Sequence, residues 1–131
     1  MIRSNNILIL FIFLLLALSC TNKNTEGKAL YETQCMNCHQ EGGKGVGKLI
    51  PPISKSFLIS NHNQIPCIIK KGIKGKLLID GVEYNHEMPG NIKISDFDLV
   101  NILNYIEEEF GSGNKESYNI ENVRKSLRDC K

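Results

Sequence analysis

The residues best suited to chemistry stand in one short run, Cys35-Met36-Asn37-Cys38-His39. Two thiols separated by two residues and followed at once by an imidazole form the C-x-x-C-H pattern of covalent haem attachment. The thiols add to the vinyl groups of haem, and the two-residue spacer on a helical turn sets their separation. The adjacent histidine is thereby carried under the iron as an axial ligand. The run therefore predicts one covalent haem c, attached through Cys35 and Cys38 and ligated by His39.

Two other chemistries use closely spaced cysteines. A thioredoxin-like pair opens a helix that follows a strand in a βαβ unit, and no strand pattern precedes Cys35. A structural zinc site needs four ligands, and the other nearby candidates, His62, Cys67 and His86, follow no recognised spacing. Haem attachment is therefore favoured over both.

Length and charge narrow the class of protein further. The chain has 131 residues, with 16 basic and 14 acidic side chains and a formal net charge of +2, which predicts one domain at most. No basic stripe is present to follow a phosphate backbone, so nucleic acid is not expected as a partner. No acid–base pair or nucleophile surrounds the motif, so we expect neither an enzyme nor a small-molecule substrate.

The N-terminal segment predicts export. After Arg3, residues 7–18 form an unbroken apolar run that is shorter than the roughly 20 residues of a membrane span and typical of a signal peptide. The run ends at Ala17-Leu18-Ser19-Cys20, which resembles a bacterial lipobox, with Ala17 where that pattern prefers Leu, Val or Ile. We expect residues 1–19 to be a signal peptide, Cys20 to be lipidated and residues 20–25 to be a tether. Ordinary signal cleavage, with Cys20 incidental, is the alternative.

Export also predicts a role for the two remaining cysteines, Cys67 and Cys130. Outside the cytosol, thiols are oxidised to disulfides or consumed by a cofactor. With one cysteine assigned to lipid and two to haem, Cys67 and Cys130 remain as an even pair. We expect a disulfide between them that pins a C-terminal extension, residues 112–131, onto the domain. A free Cys130, or one paired between molecules, is the alternative.

Apolar periodicity and capping signals predict an all-α wrapper of short helices around the haem. Helices are expected over residues 26–36, from Asn61 or Asn63 to Gly72, over residues 96–110 and over residues 120–128. Residues 40–47 are expected to form a glycine-rich loop, and the Asp80-Gly81 pair a hairpin-like turn. Ser54 and Ser95 are expected to cap helical segments. Phe97, Val100 and Leu103, together with Ile102 or Ile106, are expected to lie on the apolar face of the helix over residues 96–110.

The segment from Gly27 to Glu109 resembles a class I cytochrome c, single-haem and bacterial. Its marks are C-x-x-C-H after an N-terminal helix, Pro51-Pro52 after the glycine loop, Met88-Pro89-Gly90 before the last major helix, and Leu103-Asn104-Tyr105-Ile106 within it. The resemblance implies a domain over residues 26–111 whose N- and C-terminal helices cross near the haem. It further implies that Gly27 or Tyr31 packs against the region of Tyr105, and that Pro52 and Tyr105 contact the cofactor.

The same resemblance implies the sixth ligand of the iron. Met88 becomes the distal axial ligand, in a loop stiffened by Pro89, and a thioether raises the reduction potential relative to a second histidine. His86, two residues earlier, is the rival ligand.

Together these inferences predict an electron carrier at the periplasmic face of a membrane. The lipid would anchor it, with the outer membrane favoured over the inner because Thr21 rather than Asp follows Cys20. Its partners would be redox proteins such as an oxidase, a reductase or a dehydrogenase. Lysines at 70, 71, 74 and 76 can steer an acidic partner or can simply form a solvated face. A haem-based small-ligand sensor or a peroxidase-like enzyme, with a labile distal site, is the alternative function.

Overall fold

The computed structural model describes residues 24–111 and 117–130. The predicted signal peptide, Cys20, tether residues 20–23, and residues 112–116 and 131 of the predicted extension lie outside the described residues. Within the described ranges, no helix combines the length and apolarity needed to cross a membrane.

The described residues form mostly helices, with four short strands between them. In chain order the elements are α1 Thr25–Gln34, α2 Met36–His39, a 3-10 turn Glu41–Gly43, α3 Lys55–Asn61, α4 Ile65–Lys71, β1 Gly72–Ile73, β2 Leu77–Ile79, β3 Val82–Tyr84, β4 Met88–Pro89, α5 Asp96–Glu109 and α6 Ile120–Arg128. Strands β2 and β3 form an antiparallel hairpin, and β1 pairs antiparallel with β4. The predicted helical wrapper is therefore confirmed, with two small sheets that the helical periodicity did not indicate.

Helices α1 and α5 cross at a glycine. A Cβ atom built on Gly27 would lie 2.3 Å from the Asn101 carbonyl oxygen and 2.8 Å from Tyr105 Cβ. One turn further along α1, the ring of Tyr31 lies 5.4 Å from that of Tyr105. The crossing implied by the resemblance is thus present, and its close approach depends on the missing side chain of Gly27.

The buried face of α5 differs from the predicted one at its first turn. Leu99, Ile102 and Leu103 are fully buried, whereas Phe97 is 66% exposed. Ser95 does cap the helix, because its Oγ accepts a hydrogen bond from the Asp98 amide. Phe97 lies in the first turn, ahead of the part of α5 that crosses α1, and packs beneath the guanidinium of Arg124 instead. Its assignment to the core face was wrong.

The start of α4 was also predicted too early. Helix α3 ends at Asn61, and α4 begins at Ile65 after a break, with Pro66 in its first turn. Proline lacks an amide hydrogen and is tolerated only where that hydrogen has no helical partner, so the helix begins immediately before it. The predicted end is correct: Gly72 terminates α4 with a positive φ of 80°.

Helix α6 packs on the rest of the domain. Val123 is fully buried, and Asn119 and Asn122 form a reciprocal capping box at the start of the helix. A disulfide joins Cys67 in α4 to Cys130 just beyond α6, with the two Cα atoms 5.7 Å apart. The hypothesised pairing is therefore the one in the structure, and it fastens the end of the chain to α4.

Candidate functional site

The C-x-x-C-H run occupies a single helical turn. Cys35 follows α1 and is the N-cap residue of α2, and the His39 amide donates to the Cys35 carbonyl oxygen at 2.9 Å. Cys35 is half-buried and Cys38 is exposed. Burial, reinforced by the nearby Cys38, raises the pKa of the Cys35 thiol to about 11. The turn therefore places the two cysteine side chains at the spacing that the sequence predicts for haem attachment.

The imidazole of His39 is oriented by the proline segment. Its Nδ1 lies 3.3 Å from the Pro51 carbonyl oxygen. A carbonyl oxygen only accepts hydrogen bonds, so Nδ1 carries the proton and Nε2 keeps a free lone pair. Burial lowers the pKa of His39, which favours the neutral ring that a metal requires.

These residues open onto one largely apolar cavity of about 360 Å³. Cys35, Cys38, His39 and Met88 all line it. Its other walls come chiefly from aliphatic and proline side chains of the segment after the motif, α3, α4, the hairpin and α5: Leu49, Ile50, Pro51, Pro52, Ile53, Leu58, Ile65, Ile68, Ile69, Ile73, Leu77, Ile79, Ile94, Ile102 and Ile106. Two thiols, a neutral imidazole and apolar walls fit a covalently attached haem.

The methionine loop is held by the end of α4. Met88 lies opposite Ile73, and Pro89 opposite Gly72, in the β1–β4 ladder. The Asn91 amide donates to the Ile69 carbonyl oxygen at 2.8 Å. Main-chain contacts at Met88 and Pro89, and at Asn91 three residues after Met88, therefore fix the position of Met88 at the cavity.

Comparison with known proteins agrees with this geometry. The family model for cytochrome c matches residues 25–109. The chain belongs to the cytochrome c family. Among its relatives is a cytochrome c-552 of Thermus thermophilus, 24% identical over 95 residues that cover 69% of this chain and 72% of the relative. A second cytochrome c-552 from the same species is 25% identical over 95 residues, which cover 69% of this chain and 64% of that relative. As a class I cytochrome c, the protein carries covalently bound haem c and acts in haem-based electron transfer.

The two predicted haem neighbours fall in different places in this cytochrome. Pro52 lines the cavity. Tyr105 does not: its ring packs against those of Tyr31 and Phe110. The α1–α5 crossing takes up that side chain, so the cofactor contact implied for Tyr105 gains no support from this placement and stays a prediction. His86, the rival ligand, also lines the cavity and is exposed.

His62 has a structural environment that the sequence did not indicate. Its ring is half-buried and stacks on that of Tyr118, with 4.2 Å between the ring centroids. Its Nδ1 lies 3.4 Å from Oε1 of Glu107, a carboxylate that is itself buried. This group joins the C-terminal extension to α5. Glu107 directly follows the buried Ile106 in α5, and this helical position did not predict a buried carboxylate in contact with His62.

The four clustered lysines do not form a bare positive surface. Lys74 pairs with Glu87 at 3.2 Å, and Lys76 pairs with Glu83 at 2.9 Å. Lys71 donates to the Cys130 carbonyl oxygen. The ammonium group of Lys70 donates to the Ile94 carbonyl oxygen and lies 3.5 Å from Asp96. The positive charge that would attract an acidic partner to these lysines is therefore partly neutralised by neighbouring carboxylates.

Proposed function

We propose that this cytochrome is an electron carrier whose haem is attached through Cys35 and Cys38 and ligated by His39 and Met88. The observation that supports this most strongly is the single cavity lined by all four residues. When bound, haem supplies a one-electron ferric–ferrous couple, and a soft thioether ligand favours the ferrous state.

The protein's own residues keep the site closed. The hydrogen bond from His39 to the Pro51 carbonyl oxygen orients the proximal ring, and the β1–β4 ladder holds Met88. The aliphatic walls give the haem an apolar environment, and an apolar, rigid site favours electron transfer over ligand binding. With His39 and Met88 as its two axial ligands, the haem iron would have no open position for a substrate.

We further propose export and lipid anchoring through Cys20 to a membrane facing the periplasm, with the outer membrane favoured. Support comes from Arg3, from the apolar run over residues 7–18 and from the lipobox-like Ala17–Cys20. The Cys67–Cys130 disulfide adds support, because such bonds persist in oxidising compartments. A Cys20→Ser variant should leave the membrane fraction; retention there would overturn the anchor. Redox partner proteins, such as an oxidase, a reductase or a dehydrogenase, would exchange electrons with it.

Optical spectra of the matured protein test the closed site. We expect six-coordinate spectra in the oxidised and reduced states, and a reduced spectrum unchanged by carbon monoxide. Met88→Ala provides the positive control, since removal of the thioether should let carbon monoxide bind. Rapid binding to the unaltered protein would instead favour the sensor or peroxidase-like function.

A further inference from the structure

The segment from Met88 to Ile94 lies against the end of α4. A Cβ atom built on Gly90 would fall 2.6 Å from the Lys70 carbonyl oxygen, so only a glycine fits there. The β1–β4 ladder and the Asn91 amide hold the first half of the segment. Its last residue is held by a side chain instead, because the Lys70 ammonium group donates to the Ile94 carbonyl oxygen. Ile94 is buried and lines the cavity, so this contact reaches the cavity wall.

The Lys70 side chain is unusually well buried for a lysine. Only 19% of it is exposed, whereas lysines are almost never buried unless they are paired. The Asp96 carboxylate, in the first turn of α5, lies 3.5 Å from the ammonium group. Hydrogen bonds from a charged donor are roughly twice as strong as those between neutral groups. The bond to the Ile94 carbonyl oxygen is therefore a strong attachment of the methionine segment to α4.

The C-terminal helix holds Asp96 from its other oxygen. Arg124 in α6 donates from Nε to Oδ2 of Asp96 at 3.1 Å, while Lys70 lies near Oδ1. The bond from Arg124 keeps the pKa of Asp96 below its ordinary value, so the carboxylate stays ionised beside Lys70. Helix α6 lies beyond residues 25–109, the part of the chain that matches the cytochrome c family. The charged group around Lys70 thus includes a residue that the family domain does not supply.

We propose that Lys70 is a positioning residue for the distal ligand. By holding the Ile94 carbonyl oxygen against α4, it restricts the segment that carries Met88 and slows the departure of the thioether from the iron. Asp96 and Arg124 act through Lys70, because they hold its ammonium group in place. The proposal rests on the proposed function, since Met88 must be the sixth ligand.

Carbon monoxide binding to the reduced holoprotein tests the proposal, because the gas binds the iron only after Met88 has left it. Lys70→Leu removes the donor, and carbon monoxide should bind this variant about tenfold faster than the unaltered protein, a factor typical of a lost charged hydrogen bond. Lys70→Arg keeps a charged donor and should restore slow binding. Lys71→Leu is the matched control, since it removes the same charge from an exposed side chain that donates to the Cys130 carbonyl oxygen instead. Its rate should equal that of the unaltered protein.

Arg124→Leu tests the contribution of α6. It should speed binding by a smaller factor than Lys70→Leu, because the Arg124 side chain is 52% exposed and its ion pair is screened by solvent. In the Lys70→Leu background the same substitution should add nothing. A further increase in that background would overturn its action through Lys70.

A loss of stability alone predicts a different pattern. Gly27→Ala destabilises the fold at the α1–α5 crossing, away from the methionine segment, and should leave the rate of carbon monoxide binding unchanged. Equal rates in Lys70→Leu and Lys71→Leu, or a Lys70→Leu rate no faster than that of Gly27→Ala, would overturn the role of Lys70. Proton NMR of the unaltered protein tests ligation by Met88 separately, through the upfield methyl resonance of an iron-bound methionine. Without that resonance both proposals fail, whereas with it and with unchanged rates only the role of Lys70 fails.

Discussion

Gly72 lies directly opposite Pro89 in the ladder that joins the end of α4 to the methionine loop. The contact is tight: a Cβ atom on Gly72 would fall 2.3 Å from the Met88 carbonyl oxygen and 2.7 Å from the Gly90 nitrogen. The backbone of Gly72 also has a positive φ of 80°, which other residues rarely adopt. The position of Met88 therefore depends on a glycine in a different element.

Gly72→Ala should loosen the distal ligand. The added methyl group must displace the methionine loop, so we expect carbon monoxide to bind the reduced protein faster than it binds the unaltered one. Gly75→Ala is a matched control, because Gly75 has a similar φ of 87° and nothing within 4 Å of an added Cβ. If carbon monoxide bound both variants at the same rate, the faster binding would be due to backbone strain at the substituted glycine and not to contact with the Met88 loop.

Gly27→Ala should destabilise the fold at the α1–α5 crossing. Its methyl group would overlap the Asn101 carbonyl oxygen, and overpacking of this kind costs about 1–3 kcal/mol. Guanidinium unfolding of the holoprotein measures the loss. Lys28→Ala, at the neighbouring exposed position, should change the free energy of unfolding by less than about 0.5 kcal/mol. A Gly27→Ala protein as stable as Lys28→Ala would contradict the tight crossing.

Removing the disulfide should lower stability without removing the haem. The sequence separation of Cys67 and Cys130 is 63. A disulfide that closes a loop of this length stabilises the folded protein by about 2–5 kcal/mol. The Cys67→Ser, Cys130→Ser double variant should therefore unfold at lower denaturant concentration. Mass spectrometry of an unreduced digest of the unaltered protein should show one linked peptide pair. Two thiols open to alkylation would contradict the pairing.

Alkaline pH should destabilise the C-terminal extension through Tyr118. Burial, reinforced by the nearby Glu107 carboxylate, raises the pKa of Tyr118 well above its ordinary value. The folded state thus holds this proton more tightly than the unfolded state, so stability is fully present below about pH 10, the unfolded pKa, and falls as the pH rises above it. Tyr118→Phe loses the hydrogen bond to the His62 carbonyl oxygen but should show a shallower fall in stability above pH 10. A fall equal to that of the unaltered protein would contradict the assignment.

The features that could be predicted from the sequence are those that depend on residues close together in the chain. The C-x-x-C-H turn, the Ser95 cap, the Asp80-Gly81 hairpin turn and the stop at Gly72 each depend on residues within a few positions of one another. Their physical causes are helix capping, turn geometry and the conformational freedom of glycine. For that reason the prediction and the structure agree at these places.

Contacts between distant segments could not be predicted in the same way. The exposure of Phe97 follows from where α5 meets its neighbours, and the placement of Tyr105 follows from the close approach at Gly27. Tyr84 lines the cavity because the β2–β3 hairpin is placed against segments distant in the sequence, to which the Ser54–Asp80 hydrogen bond joins it. Periodicity within one helix or strand holds no information about which element will lie against it.

Axial ligation by His39 and Met88 decides whether this cytochrome is a closed electron carrier. Proton NMR of the reduced holoprotein measures it directly, because the porphyrin ring current shifts the methyl group of an iron-bound methionine far upfield. We predict one such resonance, absent from Met88→Ala and retained in His86→Ala. An unaltered protein without an upfield methyl resonance, or one whose resonance survives in Met88→Ala, would contradict ligation by Met88.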